Sequence, residues 1–90
     1  MKSAHSKTVT IVNALGLHAR SAAKVAKLAG EAAGGVWLHK NGDTADATSL
    51  LDILTLACPK GTRITVSVDD DADLDTLERI TELIRSGFGE

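Results

Sequence analysis

Val36-Trp37-Leu38-His39-Lys40-Asn41-Gly42-Asp43-Thr44-Ala45-Asp46-Ala47 is the stretch on which the fold turns. Val36 to Lys40 alternates apolar and polar residues, the period of a strand with one buried face. Asn41-Gly42 follows, the pair that most readily takes the two positive φ values of a tight hairpin. Asp43 to Ala47 then returns as a short polar strand, suited to a sheet edge. Val36 and Leu38 face the core, which puts Trp37 and His39 on the other side of the sheet. A lone hairpin is marginal in water, so the rest of the chain has to supply partner strands and a cover.

Upstream, Thr8 to Val12 alternates again, with Val9 and Ile11 inward. Asn13 to Leu17 breaks the rhythm and reads as a loop. From Ala19 to about Ala33 the period becomes helical, with Ala19, Ala22, Ala23, Ala26 and Ala29 on one side and Lys24, Lys27 and Glu31 on the other. Small alanines let a helix lie close to a sheet. Lys27 and Glu31 are spaced as an i,i+4 ion pair, and Gly34-Gly35 ends the helix.

Downstream, Ser49-Leu50-Leu51-Asp52 fits a capping box variant opening a short helix that runs to about Ala57 and is closed by Pro59 and Gly61. Arg63 to Val68 is the clearest strand, with Ile64, Val66 and Val68 inward, and belongs inside the sheet. Asp69 to Asp73 is an acidic turn with Asp73 as N-cap. Leu74, Leu77, Ile80 and Ile84 form the apolar stripe of a last helix, stopped at Gly87. The order β-α-β-β-α-β-α makes a two-layer α+β sandwich, four strands with three helices on one face. One domain over residues 1–90 is expected.

The totals narrow the function. With 10 basic and 12 acidic residues the net charge is −2, which argues against a chain-wide grip on nucleic acid or an anionic membrane. Aromatic residues are 2% of the chain, so aliphatic side chains must fill the core. The lone Cys58 allows no internal disulfide and reads as a small packed residue. No run approaches the length of a membrane span, and Met1 to Lys7 has no apolar signal core. A cytoplasmic protein is expected.

The chemistry concentrates in Gly16-Leu17-His18-Ala19-Arg20-Ser21-Ala22-Ala23, where a turn becomes a helix. One imidazole nitrogen can act as a nucleophile while the other is hydrogen-bonded. The N–H groups at Ala19 and Arg20 would face an anion arriving there, and the helix dipole adds to their effect. The Arg20 guanidinium could fork onto phosphate oxygens. On spacing alone the same residues also fit a plain helix cap, but a cation at a helix N-terminus points to an anionic guest.

This motif resembles the phosphohistidine signature of the HPr family, the phosphocarriers of the phosphoenolpyruvate-dependent sugar phosphotransferase system. Asn41-Gly42, Ala47-Thr48-Ser49-Leu50-Leu51, Lys60-Gly61-Thr62 and Gly87-Phe88-Gly89-Glu90 resemble further family features, in order and at family spacing. The resemblance implies an open-faced β-sandwich. It implies that His18 takes a phosphoryl group on Nδ1 from phosphorylated enzyme I and passes it to enzyme IIA components, with Arg20 steadying the phosphate. Ser49 matches the serine modified by HPr kinase/phosphorylase. Leu50, Leu51, Leu54 and Thr55 match a partner-docking helix face, with Lys27 beside it. A monomer without cofactor, and a carrier in place of a free-standing enzyme, are implied as well.

Two residues depart from the family. Ser21 stands where proline is usual, which predicts a slightly looser turn. Asp52 stands on the docking helix where the family has glycine or lysine. It should weaken or redirect docking on acidic partners, and its charge would meet a phosphate placed on Ser49. These departures keep open a regulator that docks through Leu50–Thr55, beside the carrier. An interaction module without phosphate chemistry is the third reading. A metal role for His5 or His39 lacks ligand spacing. Asp69, Asp71 and Asp73 mimic a calcium loop, but Leu74 and Ile80 occupy its glycine and glutamate positions.

Overall fold

The structure, a computed structural model, describes residues 5–90; the expectation drawn from Met1 to Ala4 lies outside them. The elements are β1 (Ser6–Thr10), α1 (Ala19–Ala29), β2 (Val36–Lys40), β3 (Asp43–Asp46), α2 (Leu50–Thr55), β4 (Arg63–Val68) and α3 (Leu74–Arg85), with short 3₁₀ turns at Asp71–Asp73 and Gly87–Gly89. The sheet is antiparallel in the order β1-β4-β2-β3. β4 is therefore internal and β3 an edge, as the alternation and polarity of those stretches predict. Asn41 and Gly42 take φ of 49° and 89°, closing the hairpin with Lys40 opposite Asp43.

Register sorts the two faces. Val9 lies opposite Ile64, and Leu38 lies opposite both Val66 and Ala45. All are buried beneath the helices, together with Val36, Val68 and Ile11. The other face carries Thr8, Thr65, Ser67, Trp37 and His39. Hydroxyls pair across it, Thr8 with Thr65 at 2.9 Å, while His39 bridges Thr44 and Ser67 at 3.1 and 2.8 Å. Trp37 is only half-exposed, its indole N–H donating to the Asp69 carboxylate at 3.1 Å. This uncovered face makes the sandwich open.

Several local expectations shift. β1 begins and ends two residues earlier than its alternation suggests, although Ile11 still bonds Thr62 and Gly61. α1 stops at Gly30, not at Gly34-Gly35, because the Asp73 carboxylate takes the N–H groups of Ala33 and Gly34 at 2.9 and 2.8 Å. Asp73 thus makes no side-chain cap on its own helix. The buried face of α1 is Ser21, Ala22, Val25 and Ala29, while Ala19 and Ala23 are exposed. The larger Val25 decides which way the helix rolls, since burying a valine gains more than burying an alanine. Glu31 lies beyond the helix and pairs with Arg79 at 3.0 Å, not with Lys27. α2 ends at Thr55, short of Ala57, where Lys40 Nζ takes the carbonyls of Leu56 and Ala57 at 2.8 and 2.6 Å. Leu74 is exposed, and Thr76 and Thr81 are buried beside Leu77, Ile80 and Ile84. His5 pairs with Asp71.

Candidate functional site

The loop before α1 is built around two close approaches. Gly16 has φ of 68°, and a Cβ there would lie 2.5 Å from the Cys58 carbonyl oxygen, so glycine is required. The next N–H, from Leu17, donates to that same carbonyl at 2.9 Å. The loop is thereby fixed to the chain leaving α2. Leu17 is buried, and His18 emerges as the N-cap of α1 with its side chain about a quarter exposed.

Three contacts orient His18. Its backbone N–H donates to Ser21 Oγ at 2.9 Å. Its Nδ1 accepts the Arg20 N–H at a long 3.3 Å. Its Nε2 lies 2.5 Å from Glu90 Oε2. The first contact corrects the expectation of a loose turn. Ser21 is fully buried, and its hydroxyl has the carbonyls of Gly16 and His18 within 3.2 Å. Serine supplies the reciprocal half of a capping box where proline would supply only a preset φ.

The first turn of α1 holds no acidic side chain, and Arg20 is exposed and makes no ion pair among the described residues. Nδ1 thus faces the first turn of α1, and the exposed Arg20 lies in that same turn. The helix end and the arginine favour a dianion there.

Glu90 and Asn13 are the site residues that local reading missed. Asn13 is buried and donates through Nδ2 to the Gly16 carbonyl at 2.8 Å and to Glu90 Oε1 at 3.0 Å. The hydrogen bond from Asn13, and after it that from His18, holds the Glu90 carboxyl below its usual range. The tail is anchored by Phe88, buried in the core at a φ of 60°, with its carbonyl accepting from Lys24 Nζ at 2.8 Å. Burial of one phenylalanine is worth about 1.5–3 kcal/mol, so Phe88 anchors the tail in the core. Sequence separations above 70 hide the contacts of Glu90 with Asn13 and His18 from any local pattern, although Gly87-Phe88-Gly89-Glu90 stands among the segments that resemble the family.

The remaining candidates surround this centre. On α2, Leu50 and Leu51 are 41% and 73% exposed, Leu54 is half-buried and Thr55 exposed. Lys27 is exposed on α1, the helix against which α2 packs. Ser49 is the N-cap of α2 and accepts the Asp52 N–H at 3.2 Å. The box there is only half formed, because the Asp52 carboxylate turns to the Asp46 N–H at 3.3 Å.

The open-faced sandwich superposes on solved phosphocarriers. HPr-C-His from Thermoanaerobacter tengcongensis superposes with a TM-score of 0.89 at 30% identity, over 94% of this chain and 96% of that one. An HPr dimer from the same organism gives 0.75 at 30% identity, over 91% and 94%. The phosphocarrier protein HPr of Cupriavidus necator is 36% identical over 84 residues, 93% of this chain and 94% of that one. Residues 5–86 match the family model described as PTS HPr component phosphorylation site. The chain belongs to the HPr family, phosphocarriers of the bacterial phosphotransferase system.

Proposed function

We propose that His18 Nδ1 accepts a phosphoryl group from phosphorylated enzyme I and passes it to enzyme IIA components, in the cytoplasm, with the chain acting as a monomeric carrier and not as a free-standing catalyst. The observation that carries this reading is the direction of the ring. Nδ1 is turned toward the first-turn N–H groups of α1, with Arg20 exposed beside it. A phosphoryl group on Nδ1 would face those N–H groups, with the Arg20 guanidinium carried on the same turn to pair with its oxygens. Leu50, Leu51, Leu54 and Thr55, with Lys27 beside them, form the face that meets each partner. HPr kinase/phosphorylase would act on Ser49.

Asp52 favours a second reading, a regulator that is phosphorylated but docks elsewhere. It is exposed on α2, where a carboxylate repels an acidic partner. The deciding experiment incubates the chain with enzyme I and labelled phosphoenolpyruvate, with His18→Ala as control. Acid-labile label on the wild type alone, passed on to a IIA protein, is the expected result. Label that enters but cannot leave supports the regulator. No label on the wild type removes both.

A further inference from the structure

We propose that the enzyme I that docks on α2 presents a lysine or arginine to the hairpin side of that helix, where Asp52 receives it, so that Asp52 selects the partner by charge. This inference rests on the reading of α2 as the docking face, and holds for the carrier and the regulator alike.

Exposed leucines form the centre of the surface. Leu51 is 73% exposed and Leu50 41%, while Ile53 of the same helix is fully buried. α2 packs against α1 on one flank and β3 on the other. With Ile53 inward, helical spacing sends Leu50 and Leu54 to one flank, Leu51 and Thr55 outward, and Asp52 and Leu56 to the opposite flank. The Asp52 carboxylate reaches the Asp46 N–H at 3.3 Å, so its flank is the β3 one.

Charge divides across the leucines. Toward α1 lie Arg20 and Lys27, both exposed and neither in an ion pair among the described residues. Toward the hairpin the surface is acidic. Asp52, Thr55 and Leu56 of α2, with Asp43 and Thr44, line a recess of about 300 Å³. Asp46 adjoins Asp52, and the hydroxyl and N–H of Thr48 hold its carboxyl below the usual range. Among the described residues no lysine or arginine pairs with Asp43, Asp46 or Asp52. Lys40, opposite Asp43 in the hairpin, spends its Nζ on the Leu56 and Ala57 carbonyls.

A carboxylate at the rim of an apolar patch rejects an acidic surface and accepts one that places a cation there. Asp52 commits one oxygen, to a long bond. The Thr55 hydroxyl gives its hydrogen to the Leu51 carbonyl at 2.8 Å and keeps its lone pairs. A lysine or arginine head group brings donors only and matches these acceptors. The partner surface that fits has an apolar depression for Leu51, carboxylates toward Arg20 and Lys27, and a basic side chain toward Asp52.

The test titrates nitrogen-15-labelled chain with unlabelled enzyme I of the same bacterium and follows the α2 amides by NMR. KM and kcat for phosphorylation of His18 are measured in parallel. Asp52→Asn should raise Kd about threefold and Asp52→Lys about tenfold, the scale of losing one exposed ion pair and of reversing it. KM should follow, with kcat unchanged. Raising the ionic strength to about 0.5 M, where screening reaches about 4 Å, should bring the three values together. Asp43→Lys leaves α2 itself untouched and should weaken binding in the same direction, which separates the effect from any misfolding of the helix. Asp75→Lys makes the same charge change on α3 and should bind as the wild type does. Asp52→Lys binding as tightly as wild type, or an equal loss in Asp75→Lys, overturns the proposal. So do α2 amides that do not respond, or unchanged binding by Leu51→Ser. If enzyme I binds but passes no label, the carrier reading fails, and the Kd values still decide whether Asp52 meets a cation.

Discussion

Replacing Ser21 by alanine isolates what holds the turn in front of α1. The hydroxyl accepts the His18 N–H at 2.9 Å and lies 3.2 Å from the Gly16 carbonyl, inside a fully buried position. The Gly16 carbonyl keeps its bond from Asn13 at 2.8 Å, so it is not orphaned. The His18 N–H loses its only partner. One part-buried donor left unpaired costs about 1–2 kcal/mol, and alanine fits the space with a methyl-sized change, which adds little. For a chain of this size about 1.5 kcal/mol lowers Tm by roughly 6–12 °C. Thermal unfolding followed by far-ultraviolet circular dichroism, with urea titration as a second measure, reads the change. A shift under about 2 °C would refute the reciprocal cap as a stabilising element. Such a result would return Ser21 to the status of a tolerated substitute for proline.

Two further outcomes follow from titrating groups. Asp46, bonded by the Thr48 hydroxyl and N–H, Glu78, bonded by Lys7, and Glu90, bonded by Asn13 and then His18, are all held below their ordinary carboxylate values. A carboxyl lowered on folding stabilises above its unfolded value and loses that contribution as pH falls through the folded one, so the urea midpoint should be steady near neutrality and decline below about pH 4.5; a midpoint that rises on acidification contradicts these pairings. Burial pushes the Cys58 thiol up, against a smaller opposing pull from Lys40, so thiol reagents should label the folded chain far more slowly than the urea-unfolded one, and equal rates would show that the thiol is open.

The hairpin and the internal strand were legible because each rests on a local rule. Asn41-Gly42 carries its own φ preference, and the alternation through Ile64, Val66 and Val68 survives in the register with β1 and β2. The His18–Arg20 junction was legible for the same reason, since a cap and the first turn lie within a few residues. Reading failed where a distant group competes with the local signal. Alanines at Ala19 and Ala23 satisfy the helical period but gain too little from burial to set the face against Val25. Gly34-Gly35 looks like a helix stop, yet the Asp73 carboxylate, 39 or more residues away, claims the N–H groups of Ala33 and Gly34. Glu90 and Asn13 were invisible as site residues because the chain must fold before they meet His18.

The contact of Gly16 and Leu17 with Cys58 ties together two pieces of chain that do different work. One carries the imidazole and the other leaves α2. Lys40 closes the same joint from the hairpin side by seizing the Leu56 and Ala57 carbonyls. The helix and the histidine loop are therefore a single stiff handle. A change in the segment that leaves α2 therefore bears directly on the loop that carries His18.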